Sequence, residues 1–390
     1  MGEDDIKEKV IGFDALYESM HRCKKNVLWK DSVANFYLNG IEQTLRLEKQ
    51  LKDGTYKPRP PKKFMITHPK KRETVSIAFR DRVYQRSLND NVLYPTMTKS
   101  FIYANMACQK GKGTDAARDK LDEFLKRYYR KHGLNGYVLQ CDIHGYYPNM
   151  SHKVTEAAFK KKLPPEIYEM TEKILRQQYE GEKGYNPGSQ MIQIAGISVL
   201  DPMDHMIKEQ QQIEPYERYM DDFFLIAETE EELIRCKEAI EEHLHEIDFE
   251  LHPEKTKIFP LKDGIKFLGF THRLTETGKI IRIINPQNVK AERKKLRRMV
   301  NLVRKGRMTK KKVDECFEAW KAHAEKGNSK KLIRRMEEFY AALWKEDEHG
   351  RHEHGEKTEN DQRPEKHGGH AGTDRKTAGD DRVRGRDGRR

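Results

Sequence analysis

Apolar residues along this chain follow two rhythms, one of period two and one near 3.6, and their succession predicts a mixed α and β fold. From Phe13 to Leu51 the spacing is helical, with Trp29, Phe36 and Leu45 as apolar anchors, and it stops at Gly54-Thr55-Tyr56-Lys57-Pro58. Two alternating segments, Lys62 to His68 and Thr74 to Ala78, flank Pro69-Lys70-Lys71-Arg72-Glu73, which predicts a hairpin with a basic tip. Helical spacing returns from Arg80 through Val83 and Leu88 to Leu93, and Gly111-Lys112-Gly113-Thr114-Asp115 opens a further helix. Tyr137 to Ile143 reads as a short buried strand ending on Asp142 and broken by Gly145-Tyr146-Tyr147-Pro148-Asn149. A turn at Asn186-Pro187-Gly188-Ser189 caps a helix whose first turn holds Gln190 and whose apolar positions include Ile192, Val199, Met203 and Ile207. Tyr219-Met220-Asp221-Asp222 then lies between a polar stretch and Phe223-Phe224-Leu225-Ile226, at the tip of a second hairpin.

Thr229 and Glu232 are spaced as a capping box for a helix from Glu230 to His245, after which Phe249 to Lys257 returns to strand. Three amphipathic runs follow. Asn288 to Arg304 places Val289, Leu296, Met299, Val300 and Val303 on one face and Lys290, Arg293, Lys294, Arg297, Arg298 and Arg304 around the rest. The next follows Thr309 with Val313, Cys316, Phe317 and Trp320; the last follows Asn328 or Ser329 with Leu332, Ile333, Met336, Phe339, Tyr340 and Leu343. Three such helices can pack as a bundle. Beyond Trp344 the apolar residues are Ala371, Ala378 and Val383, so residues 346–390 are expected to form a disordered charged tail. Its histidines, His349, His352, His354, His367 and His370, are too irregularly spaced for a structural zinc site.

Acidic residues at strand ends turn this pattern toward chemistry, because a carboxylate there is costly unless something pairs with it. Asp-Asp occurs freely in turns, and taken alone Asp221-Asp222 reads as a plain one. Asp142, ending a second apolar strand, changes the odds. Adjacent side chains on a strand point to opposite faces, so at least one of the tandem pair is left to meet a cation. One sheet joining both strands would gather these carboxylates around two divalent ions, which in such sites sit about 3.5–4 Å apart and clamp the attacking and leaving oxygens of phosphoryl transfer. Oxygen ligands favour Mg²⁺, with Mn²⁺ as a substitute, over zinc.

Asp142-Ile143-x-x-Tyr146-Tyr147-Pro148-Asn149, Gly188-Ser189-Gln190, Tyr219-Met220-Asp221-Asp222, Lys255-Thr256 and Phe267-Leu268-Gly269-Phe270 stand in the order and spacing of reverse transcriptases. From about Phe13 to Trp344 the chain resembles a bacterial retroelement enzyme of the group II intron or diversity-generating kind. The resemblance implies an α+β right-hand polymerase, with an N-terminal helical extension (1–60), fingers and palm (61–285) and a helical thumb (286–345). It implies that Asp142, Asp221 and Asp222 are catalytic and, with the Ile143 carbonyl, hold metal. Tyr147 matches the aromatic gate that stacks under the sugar and excludes a 2′-OH, and Gln190 a glutamine on the incoming nucleotide. Arg72, then Lys71 and Arg80, are expected on the nucleotide phosphates, which suit guanidinium geometry. Lys255 matches a lysine that acts as general acid for the leaving pyrophosphate or as a simple countercharge. Phe267, Leu268 and Gly269 match the primer grip, and Lys290, Lys294, Arg297 and Arg298 are expected along the hybrid. Many relatives carry Pro-Gln-Gly where this chain has Gly-Ser-Gln, which separates it from retroviral enzymes and leans toward the diversity-generating or unclassified groups.

Charge agrees with a polynucleotide partner. The 390 residues carry 76 Lys and Arg against 63 Asp and Glu, a net +13, and residues 1–345 hold 65 of these bases and 51 of the acids. All of the excess thus falls before the tail, which favours phosphate contacts. The implied partners are an RNA template, a DNA or RNA primer and deoxynucleoside triphosphates, with a cognate structured RNA or an accessory protein as further partners. No apolar run is long enough to span a bilayer and Met1-Gly2-Glu3-Asp4-Asp5 is acidic, so no membrane is expected. Five cysteines without paired spacing suit a reducing cytoplasm. The expected reaction is addition of deoxynucleotides to a primer 3′-OH on RNA. Two other readings use the same residues: an untemplated or protein-primed DNA polymerase of phage defence, and an RNA-binding splicing or scaffold protein with a vestigial site. Three intact carboxylates weigh against the last.

Overall fold

Four amphipathic helices, Glu3–Ile11, Phe13–Cys23, Asp31–Leu38 and Gly40–Lys52, open the computed structural model, which describes residues 3–67, 72–186 and 188–355. Their inward residues are Leu16, Met20, Val33, Phe36 and Leu47, and they share one core with the residues that follow. Two expected anchors are not anchors: Trp29 is 77 % exposed and Leu45 50 %. The Gly40–Lys52 helix buries Gly40, Thr44 and Leu47, a spacing that turns Leu45 outward, and Trp29 falls in the turn between helices.

A two-stranded hairpin follows, β1 (Lys62–Ile66) and β2 (Arg72–Ser76), antiparallel, with Ile66 opposite Arg72. The central sheet has the order β4-β5-β3-β6, with β3 (Tyr137–Asp142), β4 (Tyr216–Tyr219), β5 (Asp222–Ala227) and β6 (Lys257–Pro260), all pairs antiparallel. β3 and β5 are covered on both sides. Leu139, Cys141, Phe223 and Leu225 face the core shared with the N-terminal helices, while Val138, Phe224 and Ile226 pack toward the Thr114–His132 helix and Phe267. Continuous apolar runs result where one-sided burial would give alternation. The strand expected over Phe249 to Lys257 is shorter: Leu251 makes a single bridge to Ile143, and β6 begins at Lys257. The N–H groups of Lys255 and Thr256 both turn back to the His252 carbonyl, and Pro253 brings no donor to a ladder.

A three-stranded sheet, β7 (Ile265–Phe267), β8 (Phe270–Leu274) and β9 (Ile280–Ile284), leads to helices Pro286–Arg304, Lys310–Ala324 and Lys330–Gly355, which bury Leu296, Val300, Val313, Phe317 and Met336 among themselves. The charged tail expected from Glu346 begins instead as a continuation of the last helix to Gly355, across a stretch with no proline or β-branched residue to stop it. The remainder of that tail, from residue 356, lies outside the described residues. No described helix is long and apolar enough to cross a membrane.

Candidate active site

The β4–β5 turn is only two residues, Met220 and Asp221, with Tyr219 opposite Asp222. Such a tight hairpin needs positive φ at its first central position, and Met220 adopts 61° without being glycine. Arg218 holds it there: Nη1 donates to the Met220 carbonyl at 3.0 Å, Nε and Nη2 donate to the two Asp204 oxygens at 2.7 and 2.5 Å, and Nη2 also reaches the Ile197 carbonyl at 3.3 Å. Both charged partners are fully buried.

Register does the rest. Asp142 pairs directly with Asp222 across β3 and β5, and the Ile143 N–H donates to the Asp221 carbonyl at 3.2 Å, so the backbones that carry three aspartates come together at one end of the sheet. Burial raises the Asp222 pKa to about 7, with the Asp142 and Asp221 charges adding to it. Asp221 is raised chiefly by burial as well, then by Asp142. Lys255 answers Asp142, with Nζ 2.7 Å from Oδ1, and the charges of Lys255 and Arg218 both draw the Asp221 pKa down. In this structure Lys255 is therefore a countercharge to a carboxylate. The expected three-carboxylate ligand set is not assembled: among the described residues no three His, Cys, Asp or Glu side chains form a metal-binding group, and Asp142 is turned to Lys255. The donors fit a divalent cation nonetheless. They are all oxygen, and their burial makes the charge costly unless a cation meets it.

Tyr147 follows Gly145 (φ 56°) in the one-turn helix Tyr146–Asn149; it is half-buried, its ring beside that of Tyr146, and its hydroxyl is buried with no hydrogen-bond partner among the described residues. Gln190 is exposed at the start of the Gln190–Val199 helix, capped by Ser189 Oγ, which accepts from the Ile192 N–H at 3.3 Å. Just before it, Asn186 Nδ2 donates to the Glu73 carbonyl at 3.3 Å, tying this turn to β2.

Some expected ligand residues are engaged elsewhere. Arg80 donates from Nε to Asp81, from Nη1 to Gln50 Oε1 at 3.3 Å and from Nη2 to the Lys57 carbonyl at 2.6 Å, so its guanidinium braces the N-terminal helices and does not present itself to a triphosphate. Lys112, in the turn that opens the Thr114–His132 helix, points its ammonium at the Tyr103 and Asn105 carbonyls and Gln109. Arg72 opens β2, while Lys71 lies outside the described residues.

Leu268 and Gly269 form a second two-residue turn, with φ of 44° and 89°, between paired Phe267 and Phe270. Arg118 Nη1 donates to the Leu268 carbonyl at 3.1 Å, and Gln140 Nε2 to the Lys266 carbonyl at 2.5 Å. On the Pro286–Arg304 helix, Lys290, Lys294, Arg297 and Arg298 are exposed while Leu296, Met299 and Val300 turn inward. Sequence reasoning missed Arg218, Asp204 and Arg118. A charged residue two positions before a predicted hairpin tip was the one available signal, and it named no partner.

Residues 61–272 match the family model described as reverse transcriptase (RNA-dependent DNA polymerase). No curated protein matches the chain. Among solved structures it is similar to telomerase from Candida albicans in complex with a TWJ fragment of telomeric RNA, with a TM-score of 0.44 and 12 % identity over 67 % of this chain and 55 % of that one. Apo telomerase from Candida tropicalis, truncated from its C-terminal domain, gives a TM-score of 0.44 and 14 % identity over 62 % and 60 %. The chain spans less than two thirds of either, and neither likeness is close enough to argue from.

Proposed function

Because the chain belongs to the reverse transcriptase family, we propose that it extends a primer 3′-OH with deoxynucleotides on an RNA template. The observation that carries this is the pairing of Asp142 with Asp222 beside the strained Met220-Asp221 turn, which concentrates carboxylate charge at the open end of the sheet. When bound, two Mg²⁺ ions supply activation of the 3′-OH and neutralisation of the leaving pyrophosphate. Asp142 and Asp221 would hold them with the Ile143 carbonyl, and Asp222 adds charge nearby. Lys255, beside Asp142, would supply positive charge toward the leaving pyrophosphate. The Tyr147 ring rejects a 2′-OH. Gln190 and the basic hairpin residues Arg72 and Lys71 seat the nucleotide, the Leu268-Gly269 turn holds the primer end, and Lys290, Lys294, Arg297 and Arg298 follow the hybrid backbone. The motif pattern supports a bacterial, cytoplasmic retroelement setting, with a cognate structured RNA or an accessory protein as further partner.

Primer extension on RNA with labelled deoxynucleotides and Mg²⁺ tests this, comparing the wild type with the Asp221→Asn, Asp222→Asn double variant. Template-complementary DNA from the wild type alone is expected. DNA unrelated to the template would replace the reading with untemplated synthesis. No product from either protein, both folded and binding RNA, would replace it with a binding role or a dedicated primer.

A further inference from the structure

Gly196 sits in the interior of the Gln190–Val199 helix, where glycine is a poor choice. Its backbone is ordinary helix, so no unusual φ requires it. Space does. A Cβ at position 196 would stand 3.2 Å from Tyr147 Oη, 3.3 Å from Tyr147 Cε1 and 3.4 Å from Tyr146 Cε1. The first two distances are tighter than ordinary van der Waals contact. The Gly196 carbonyl also accepts the Tyr146 hydroxyl, so both rings are seated against this one residue. Tyr147 reaches it with a hydroxyl that finds no hydrogen bond among the described residues, so what the oxygen contributes there is bulk. The ring is half-buried, and the helix blocks movement on the Gly196 side.

We propose that Gly196 is a positioning residue for sugar selection: by leaving room for the tip of Tyr147, it sets how far that ring stands into the cleft and thus the gap left for the sugar of the incoming nucleotide. This rests on the reading of Tyr147 as the sugar gate. Two consequences follow from this packing. The Tyr147 hydroxyl acts as a spacer, because it bonds to nothing among the described residues and its bulk is what meets the Gly196 position. An added methyl at 196 moves the ring by a few tenths of an ångström toward the cleft, crowding even a deoxyribose.

Steady-state extension with deoxynucleotides and with ribonucleotides tests it on wild type, Tyr147→Phe, Gly196→Ala, their double variant and Tyr147→Ala. Gly196→Ala is expected to raise the deoxynucleotide KM roughly tenfold while kcat stays within about twofold, a small-displacement effect. The double variant, lacking the oxygen that the methyl meets first, is expected to recover most of that KM. A purely structural role for Gly196 would lower the melting temperature without this rescue. An unchanged KM in Gly196→Ala, or a double variant no better than the single, overturns the proposal. Tyr147→Phe alone lets the ring settle toward Gly196 and is expected to weaken ribonucleotide rejection by roughly twofold or more; wild-type discrimination overturns the proposal too, even if Gly196→Ala fails to fold. Tyr147→Ala separates the two levels. If it still rejects ribonucleotides, the gate reading itself falls; if it admits them while the rescue fails, only the role of Gly196 falls.

Discussion

Arg218 and Glu217 are neighbours on β4, both withdrawn from solvent, and the two faces of the palm sheet treat them in opposite ways. Arg218 faces the side where Asp204, the Ile197 carbonyl and the Met220 carbonyl take up its donors. Glu217 faces the other side, opposite Phe224 in the register and toward the Thr114–His132 helix, and neither of its carboxyl oxygens finds a partner among the described residues. Burial lifts its pKa to about 9, with Lys120 pulling down and Asp122 pushing up, so it is held neutral at pH 7. A full charge is retained in this interior where it holds the Met220-Asp221 turn. Where it would hold nothing, the proton stays on.

Breaking the first half of the contrast should have the largest effect. Arg218→Met leaves Asp204 buried without its main partner, a change that typically costs about 3–5 kcal/mol. It also removes the donor that steadies Met220, so polymerisation is expected to vanish. Adding Asp204→Leu removes the stranded charge and should restore much of the stability in urea unfolding, yet not the placement of the turn. A stable double variant that stays inactive makes Arg218 a positioning residue for Asp221 and Asp222. Wild-type extension by that variant would reduce it to a fold-stabilising pair.

The second half predicts a smaller effect with a definite sign. Glu217 binds its proton more tightly folded than unfolded, since its pKa rises from the ordinary 4.5 to about 9. Its neutral form therefore favours the fold fully below pH 4.5, and that contribution is lost as pH climbs toward 9. Glu217→Gln keeps the shape and cannot ionise. Its melting temperature should match wild type near pH 4.5 and exceed it by a few degrees at pH 8, on the order of 1 kcal/mol or more. Parallel melting curves for the two proteins from pH 5 to 8.5 would mean that Glu217 is ionised in the fold.

Both hairpins, the strand ending on Asp142, and the three C-terminal helices were legible because each is written locally, in apolar period and turn residues. What stayed hidden is choice of partner. Nothing in the sequence around Arg80 distinguishes a guanidinium that braces Gln50 and Lys57 from one that waits for a triphosphate. Arg118 reaches the Leu268 carbonyl across 150 residues, and Arg218 finds Asp204 only once two elements pack face to face. Leu45 and Leu47 differ by which side of one helix meets the core, a fact set by the neighbouring helix. Periodicity locates elements; it does not say which polar group a buried charge will meet.

The Pro286–Arg304 helix supplies the third term of the comparison, charge left in water, and there the smallest effects are expected. Lys290, Lys294, Arg297 and Arg298 are exposed, so single alanine variants should leave stability within about 0.5 kcal/mol of wild type. The proposed contact with the hybrid is read in binding. Removing one phosphate-binding side chain should flatten the dependence of log affinity on log salt by roughly 0.7–0.9. The fourfold variant, titrated with an RNA–DNA hybrid across a range of KCl, should bind more weakly at low salt and with a visibly shallower slope, at an unchanged melting temperature. Arg297 is the informative member, because its guanidinium also lies 5.0 Å over the Phe339 ring. If Arg297→Ala alone melts early, part of that basic face belongs to the packing of the bundle; if the fourfold variant keeps the wild-type slope, the hybrid lies on another surface.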